Sequence, residues 1–217
     1  MFFRELVRSV MSGDKVDFLE RIDAKEGVFT WSRKNFRVEN GVVHYKDEPI
    51  HEVLNNYLLE IIKDGYECDP LLLFVESLYK NTSLRCVNDL FSFLQHKNMP
   101  ITEDGCFLGY KAVRSDFMDK WTGTINNSVG RRVKMPRNKV MDKPEIECSY
   151  GLHVGSLEYA KGYASGNDVL LIVKVNPKDV VSVPNEDSKK LRCCEYKVVS
   201  LFSSPLGNSY EKIENPA

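Results

Sequence analysis

From Ile50 to Leu94 the apolar residues recur at a helical interval. Ile50, Val53, Leu54, Tyr57, Leu58, Ile61 and Ile62 follow i, i+3, i+4, i+7 spacing, with Pro49 suited to a first turn and Gly65 to the stop. Asp69-Pro70 opens a second helix carrying Leu71 to Leu78, broken near Asn81. Ser83 caps a third, with Val87, Leu90, Phe91 and Leu94 on one face and Pro100 beyond its end. Such stripes are expected to be core. Upstream, Phe2, Phe3, Leu6, Val7 and Val10 predict a helix ending at Ser12-Gly13-Asp14, and Val16, Phe18, Leu19 and Ile22 predict a second short one. Between these and the long stripes, Val28–Trp31 has strand composition. Phe36–Glu39 and Val42–Tyr45 alternate around Asn40-Gly41, a type I′ hairpin signal.

At Ile101 the period changes from helical to extended. Thr102–Gly105 reads as a turn and Cys106–Val113 as a strand. Val169–Val175 is a continuous apolar run of the kind found in a strand covered on both faces. Val180–Val183 predicts a short strand, and Arg192–Leu201 a last one. The expected fold is α+β: a helical N-terminal half with a small β-hairpin at about 28–45, then a mainly antiparallel, β-rich C-terminal half. The expected organisation is a helical domain at 1–100, a β-rich domain at 101–202 and a loose tail at 203–217.

Composition adds limits. The 217 residues are 42% hydrophobic and 28% charged with a net charge of −1, which fits a globular protein and gives no global case for a nucleic-acid or membrane binder. No apolar run reaches the roughly 18 residues that cross a bilayer. The charged residues among Met1–Glu5 argue against a signal peptide. The cysteines (Cys68, Cys86, Cys106, Cys148, Cys193 and Cys194) match no zinc spacing, and they are expected to be reduced and mostly buried. No metal or cofactor is expected, because neither a P-loop nor a Rossmann fingerprint is present.

Two stretches carry candidate chemistry. Cys148 to Ala160 reads as strand, turn and helix, with Leu152 and Val154 on one strand face, His153 on the other, Gly155 at the turn and Ser156 as N-cap. His153 is either held by a backbone carbonyl or available to bind a polar ligand or move a proton. The segment from Tyr110 to Lys143 holds nine basic residues against three acidic ones, with Trp121 among them. It is either a solvated face or a groove for an anionic partner. Lys111, Arg114, Trp121, Arg131, Arg132, Arg137, His153, Ser156 and Tyr159 are the candidate ligand-binding residues. Arg131 and Arg132 are the foremost phosphate ligands, since the guanidinium fork matches phosphate geometry.

Several stretches together resemble the rIIB-type (rapid-lysis B) proteins of tailed bacteriophages. They include Phe29-Thr30-Trp31, Leu90-Phe91-Ser92-Phe93-Leu94, the run Pro100–Lys111, Asn126–Gly130, Met135–Asn138, Cys148–Val154 and Ile172–Pro177. The resemblance implies a phage protein acting in the cytoplasm of the infected host, associated with lysis timing and with overcoming host exclusion or defence. A second likeness, of Gly151–Ala160, is to the central strand-to-helix segment of ADP-ribosyltransferase-like folds, which implies a dinucleotide held beside it.

Three functional classes follow. The leading one is a non-enzymatic accessory protein that binds a host protein or an anionic small molecule, such as a nucleotide signal, with nucleic acid a less favoured partner and no membrane. The second is a nucleotide-processing enzyme with His153 and Glu195 as its catalytic pair. The third is a structural or assembly protein whose helical stripes mediate self-association into a homo-oligomer.

Overall fold

The computed structural model describes residues 31–146, 148–183 and 189–203. The helical patterns expected over 1–26, the strand-like residues 28–30 and the tail after Ser203 lie outside them. The chain divides into two compact units, Met1–Ile50 and His51–Ala217.

In the first unit four short strands form an antiparallel sheet in the order β1-β2-β3-β4: β1 (Trp31–Arg33), β2 (Phe36–Glu39), β3 (Val42–Tyr45) and β4 (Glu48–Pro49). The β2–β3 turn is the one the sequence signals, with Asn40 and Gly41 at φ of 51° and 74°, the signature of a type I′ loop. The β3–β4 turn is not signalled. Lys46 and Asp47 take positive φ values of 50° and 71°, a conformation that ordinarily selects Asn or Gly. Pro49 therefore belongs to an edge strand opposite His44, where a missing N–H costs no ladder bond, rather than to a helix start. Phe36, Val38, Val43, Tyr45 and Ile50 are buried, and the Phe36 and Tyr45 rings lie 4.9 Å apart.

The second unit begins with the three expected helices. They are α1 (Glu52–Lys63), α2 (Asp69–Leu78, with Pro70 in its first turn) and α3 (Leu84–His96). The Ser83 hydroxyl accepts from the Cys86 N–H at 3.3 Å, which caps α3. Gly65, at φ 76°, ends α1 as its N–H turns back to Ile62. Phe91 of α3 joins the bundle, 5.2 Å from the Tyr57 ring of α1 and 6.1 Å from the Phe74 ring of α2.

Seven antiparallel strands follow: β5 (Phe107–Val113), β6 (Arg132–Lys134), β7 (Leu152–Gly155), β8 (Val169–Val175), β9 (Val180–Ser182), β10 (Lys190–Cys193) and β11 (Glu195–Leu201). Their order is β6-β11-β8-β5-β7-β10-β9, so β8 is interior, as its apolar run predicts. A seven-residue helix, α4 (Leu157–Tyr163), lies against this sheet, with Ala160 packed on Tyr110 and Ile172. The fold is mixed α+β: helices and a small sheet first, antiparallel β structure after.

The run expected as one strand over Arg192–Leu201 is two strands separated by Cys194. The reason is topological. β10 and β11 stand four strand spacings apart in the sheet order, roughly 19 Å in a flat sheet. One intervening residue spans at most about 7 Å. The sheet must therefore roll until these regions meet, as barrels do. Cys194 marks the seam. Its N–H donates to the Asp179 carbonyl and its own carbonyl accepts from the Met135 N–H, both at 2.9 Å, so it bonds across the seam rather than along a ladder. Val140, Val181 and Cys194 fill the space beneath.

Candidate functional site

Rolling the sheet places β5, β7 and β11 around one cleft, closed at its rim by α4 and the loop over 119–125. Lys111, Trp121, His153, Tyr159, Tyr163 and Tyr196 are among the lining of this open cleft.

Its floor is cationic. Lys111 is half-buried, and its ammonium donates to the His153 carbonyl at 3.1 Å and sits 5.7 Å from the centre of the Tyr196 ring. Burial, the largest influence, lowers its pKa. No carboxylate of the described residues forms an ion pair with it, and two of its three donors remain to be satisfied by something in the cleft. Beside it, the Tyr196 hydroxyl donates to Asn127, which fixes the ring.

His153 stands on β7 opposite Arg192, with its neighbours Leu152 and Val154 turned to the apolar side. Its Nε2 is enclosed and has no hydrogen-bond partner. Burial, reinforced by the positive charges of Lys190, Lys111 and Arg192, pushes its pKa down to about 3. The imidazole is neutral at physiological pH. Arg192 is itself buried. It donates to the carbonyls of Met141 (2.8 Å), Lys143 (2.5 Å) and Ile146 (2.5 Å) and to the Ser182 hydroxyl (2.9 Å), so it anchors the loop beside the cleft.

The rim is aromatic. Tyr159 and Tyr163, four residues apart on α4, stack with centroids 5.9 Å apart and planes within 8°. Lys120 lies 4.7 Å over the Tyr163 ring, but its charge is already spent on Asp168 at 2.5 Å and on the Tyr163 carbonyl and Ser165 hydroxyl. Trp121 is 86% exposed. The loop that presents it is held by Asp119, whose carboxylate accepts from the N–H groups of Trp121, Thr122, Thr124 and Ile125 and from the Thr122 hydroxyl. Burial alone would raise the Asp119 pKa; these hydrogen bonds outweigh it and bring the pKa to about 2. The one carboxylate lining the cleft is thus fully engaged by its own loop.

Comparison with known proteins identifies the lineage. The family model described as Bacteriophage T4 protein rIIB matches residues 11–210. The chain belongs to the rIIB family. Protein rIIB of Enterobacteria phage T4 is 34% identical over 198 residues, which cover 91% of this chain and 64% of that protein. The chain therefore spans just under two thirds of the curated relative's length. No solved structure matches. In this rIIB-family chain no helix of the described residues is long and apolar enough to cross a membrane. None of the described His, Cys, Asp or Glu side chains form a cluster suited to a metal ion.

Of the residues singled out from the sequence, Lys111, Trp121, His153 and Tyr159 meet in the cleft. The others do not line it. Arg114 pairs with Asp116 at 2.8 Å on the surface, and Arg131 is exposed. Arg132 pairs with Glu195 at 2.5 Å, and Lys134 holds the same carboxylate at 3.2 Å. Burial alone would raise the Glu195 pKa; these two cations lower it on balance. Arg137 bonds Asn81 and the carbonyls of Lys178 and Val180. Ser156 caps α4 by accepting from the Tyr159 N–H at 3.2 Å. Gly155 has a different reason from the turn expected of it: an added Cβ would lie 2.6 Å from the Tyr159 ring and 2.7 Å from the Lys189 carbonyl. The sequence carried local signals for two of the residues missed, in the Asx-turn composition after Asp119 and in the i, i+4 spacing of Tyr159 and Tyr163. Lys120–Asp168 and Tyr196–Asn127 join distant segments and have no local signal.

Cys148 is exposed, with its sulfur 3.5 Å from the Lys190 ammonium, whereas Cys68, Cys86, Cys106, Cys193 and Cys194 are buried. All six are free thiols. Burial drives the Cys193 thiol pKa well up, so it stays protonated.

Proposed function

We propose that this rIIB-family chain is a phage accessory protein that works by binding rather than by chemistry, and that its cleft takes an anionic small molecule in the infected cell, tuning infection or countering a host defence. The observation that carries the reading is Lys111. It is a partly desolvated ammonium on a cleft floor with donors left over and no carboxylate in an ion pair with it; Asp119, whose charge acts on it, is engaged by its own loop. An incoming anion would supply what the protein does not. Three further features favour binding over catalysis. His153 is too weak a base for proton abstraction near neutral pH. Asp119 is consumed by its loop. Glu195, the other candidate catalytic group, is held by Arg132 and Lys134 away from the cleft lining.

Titration calorimetry with a panel of mono-, di- and triphosphate nucleotides tests this. At least one is expected to bind, without turnover, and Lys111→Met is expected to weaken it by ten-fold or more while the circular dichroism spectrum is kept. Binding of none, or equal binding by the variant, removes the cleft from the account. A host protein as the physiological partner would instead appear as a stable complex in pull-downs from infected cells that Lys111→Met disrupts.

A further inference from the structure

The charge distribution and the aromatic rim together limit what the anion is. We infer that the cleft is built for a free nucleoside monophosphate, with its single phosphate on Lys111 and its base stacked on Trp121 at the mouth. This deepens the reading above and rests on it.

Lys111, Lys120 and His153 are the basic groups lining the cleft. Lys120 is neutralised by Asp168 and has three hydrogen-bond acceptors around it. His153 is neutral, held so by its burial and its cationic neighbours. Lys190 and Arg192, the other cations near His153, bond the Cys148 sulfur and main-chain carbonyls, which leaves the Lys111 ammonium as the lining cation with donors for the ligand. A triphosphate would bring three or four negative charges to one compensating charge, and a polyphosphate chain would be desolvated without partners. A single phosphate is matched. It can take the two remaining Lys111 donors.

The second limit is the rim. Trp121 is exposed to 86%, and the Asp119 hydrogen bonds fix the backbone of the loop that presents it. Tyr163 is exposed nearby on the same rim at 44%. An exposed indole on a fixed loop is a stacking platform for a planar base.

The test compares four ligands by calorimetry on the full chain: a nucleoside monophosphate, the matching triphosphate, inorganic phosphate, and a single-stranded oligonucleotide. The monophosphate is expected to bind at least ten-fold more tightly than each of the others. Trp121→Ala is expected to lower monophosphate affinity by roughly ten-fold and leave the weak inorganic phosphate binding unchanged. The chain has two tryptophans, so a Trp31→Phe background makes Trp121 the sole indole, and its fluorescence is expected to be quenched on saturation. Equal or tighter binding of the triphosphate or the oligonucleotide overturns this inference while leaving anion binding intact. So does an unchanged affinity in Trp121→Ala. Failure of every anion to bind overturns the proposed function itself.

Discussion

His153 shows how a residue's environment decides what it can do. Burial, reinforced by three nearby cations, holds the His153 pKa at about 3, against 6.5 for the free side chain. The folded state resists protonating it and the unfolded state does not. Below about pH 6.5 the unfolded chain therefore binds the extra proton, and the stability contributed by neutral His153 is lost as pH falls toward 3. The expected slope is about 1.4 kcal/mol per pH unit within that window. His153→Gln removes the titrating group and keeps much of the volume. Urea unfolding at pH 7, 6, 5 and 4 should show the wild type losing its advantage over the variant step by step below pH 6.5, with the difference constant above it. Parallel curves would mean that the imidazole titrates in the fold as it does in the unfolded chain. Asp119 does not confuse the comparison, because its contribution is lost in a lower window, between about pH 4 and 2.

At the scale of the element, the β7–α4 junction is where packing and site meet. The Cα of Gly155 lies so close to Tyr159 and to the Lys189 backbone that no side chain fits, although its backbone conformation is ordinary. Gly155→Ala is expected to destabilise by about 2 kcal/mol through overpacking and to displace the Tyr159 ring from its partner Tyr163. Gly162, inside α4 with open space around its Cβ position, should respond with the opposite sign. Gly162→Ala is expected to stabilise by about 0.5–1 kcal/mol, because it lowers the entropy of the unfolded chain at no steric cost. Thermal melts of both variants check the pair.

The same junction shows what was legible in the sequence. Ser83, Ser156 and Asp69-Pro70 mark helix starts because a cap is a local event, and the Phe91 and Val169–Val175 patterns mark core because periodicity is local too. The Lys46-Asp47 turn was hidden because its residues do not advertise positive φ. The break at Cys194 was hidden because it answers to a sheet order fixed by pairings between distant strands. The cleft divides in the same way. His153, Lys111, Trp121 and Tyr159 could be picked out by residue type, whereas the neutralisation of Lys120 by Asp168 and the diversion of Arg132 and Arg137 to other partners could not.

Over the whole second unit, one buried asparagine ties the helices to the sheet. Asn81, between α2 and α3, donates to the carbonyls of Pro177 and Val180, each at 2.8 Å. Its own carbonyl accepts from the Ser83 N–H at 2.9 Å and from Arg137 at 2.7 Å, and Arg137 also reaches Val180 at 2.9 Å. All the hydrogen-bonding capacity of one amide is used, and the partners belong to the helix connection, the 3-10 turn Pro177–Asp179, the edge strand β9 and the 3-10 turn Arg137–Lys139. Asn81→Ala leaves the Ser83 N–H and part of the Arg137 guanidinium unpaired in a buried setting, while the Pro177 and Val180 carbonyls each keep one other donor, an expected cost of about 2 kcal/mol. If the knot makes helices and sheet one cooperative body, amide exchange should quicken together in α2, α3, β9 and β10 of the variant, and far-UV dichroism in urea should still show a single transition at a lower midpoint. Faster exchange confined to residues 80–84, with β9 and β10 as protected as before, would show that the helices and the rolled sheet hold their stability separately. The cleft would then depend on the sheet and α4 alone.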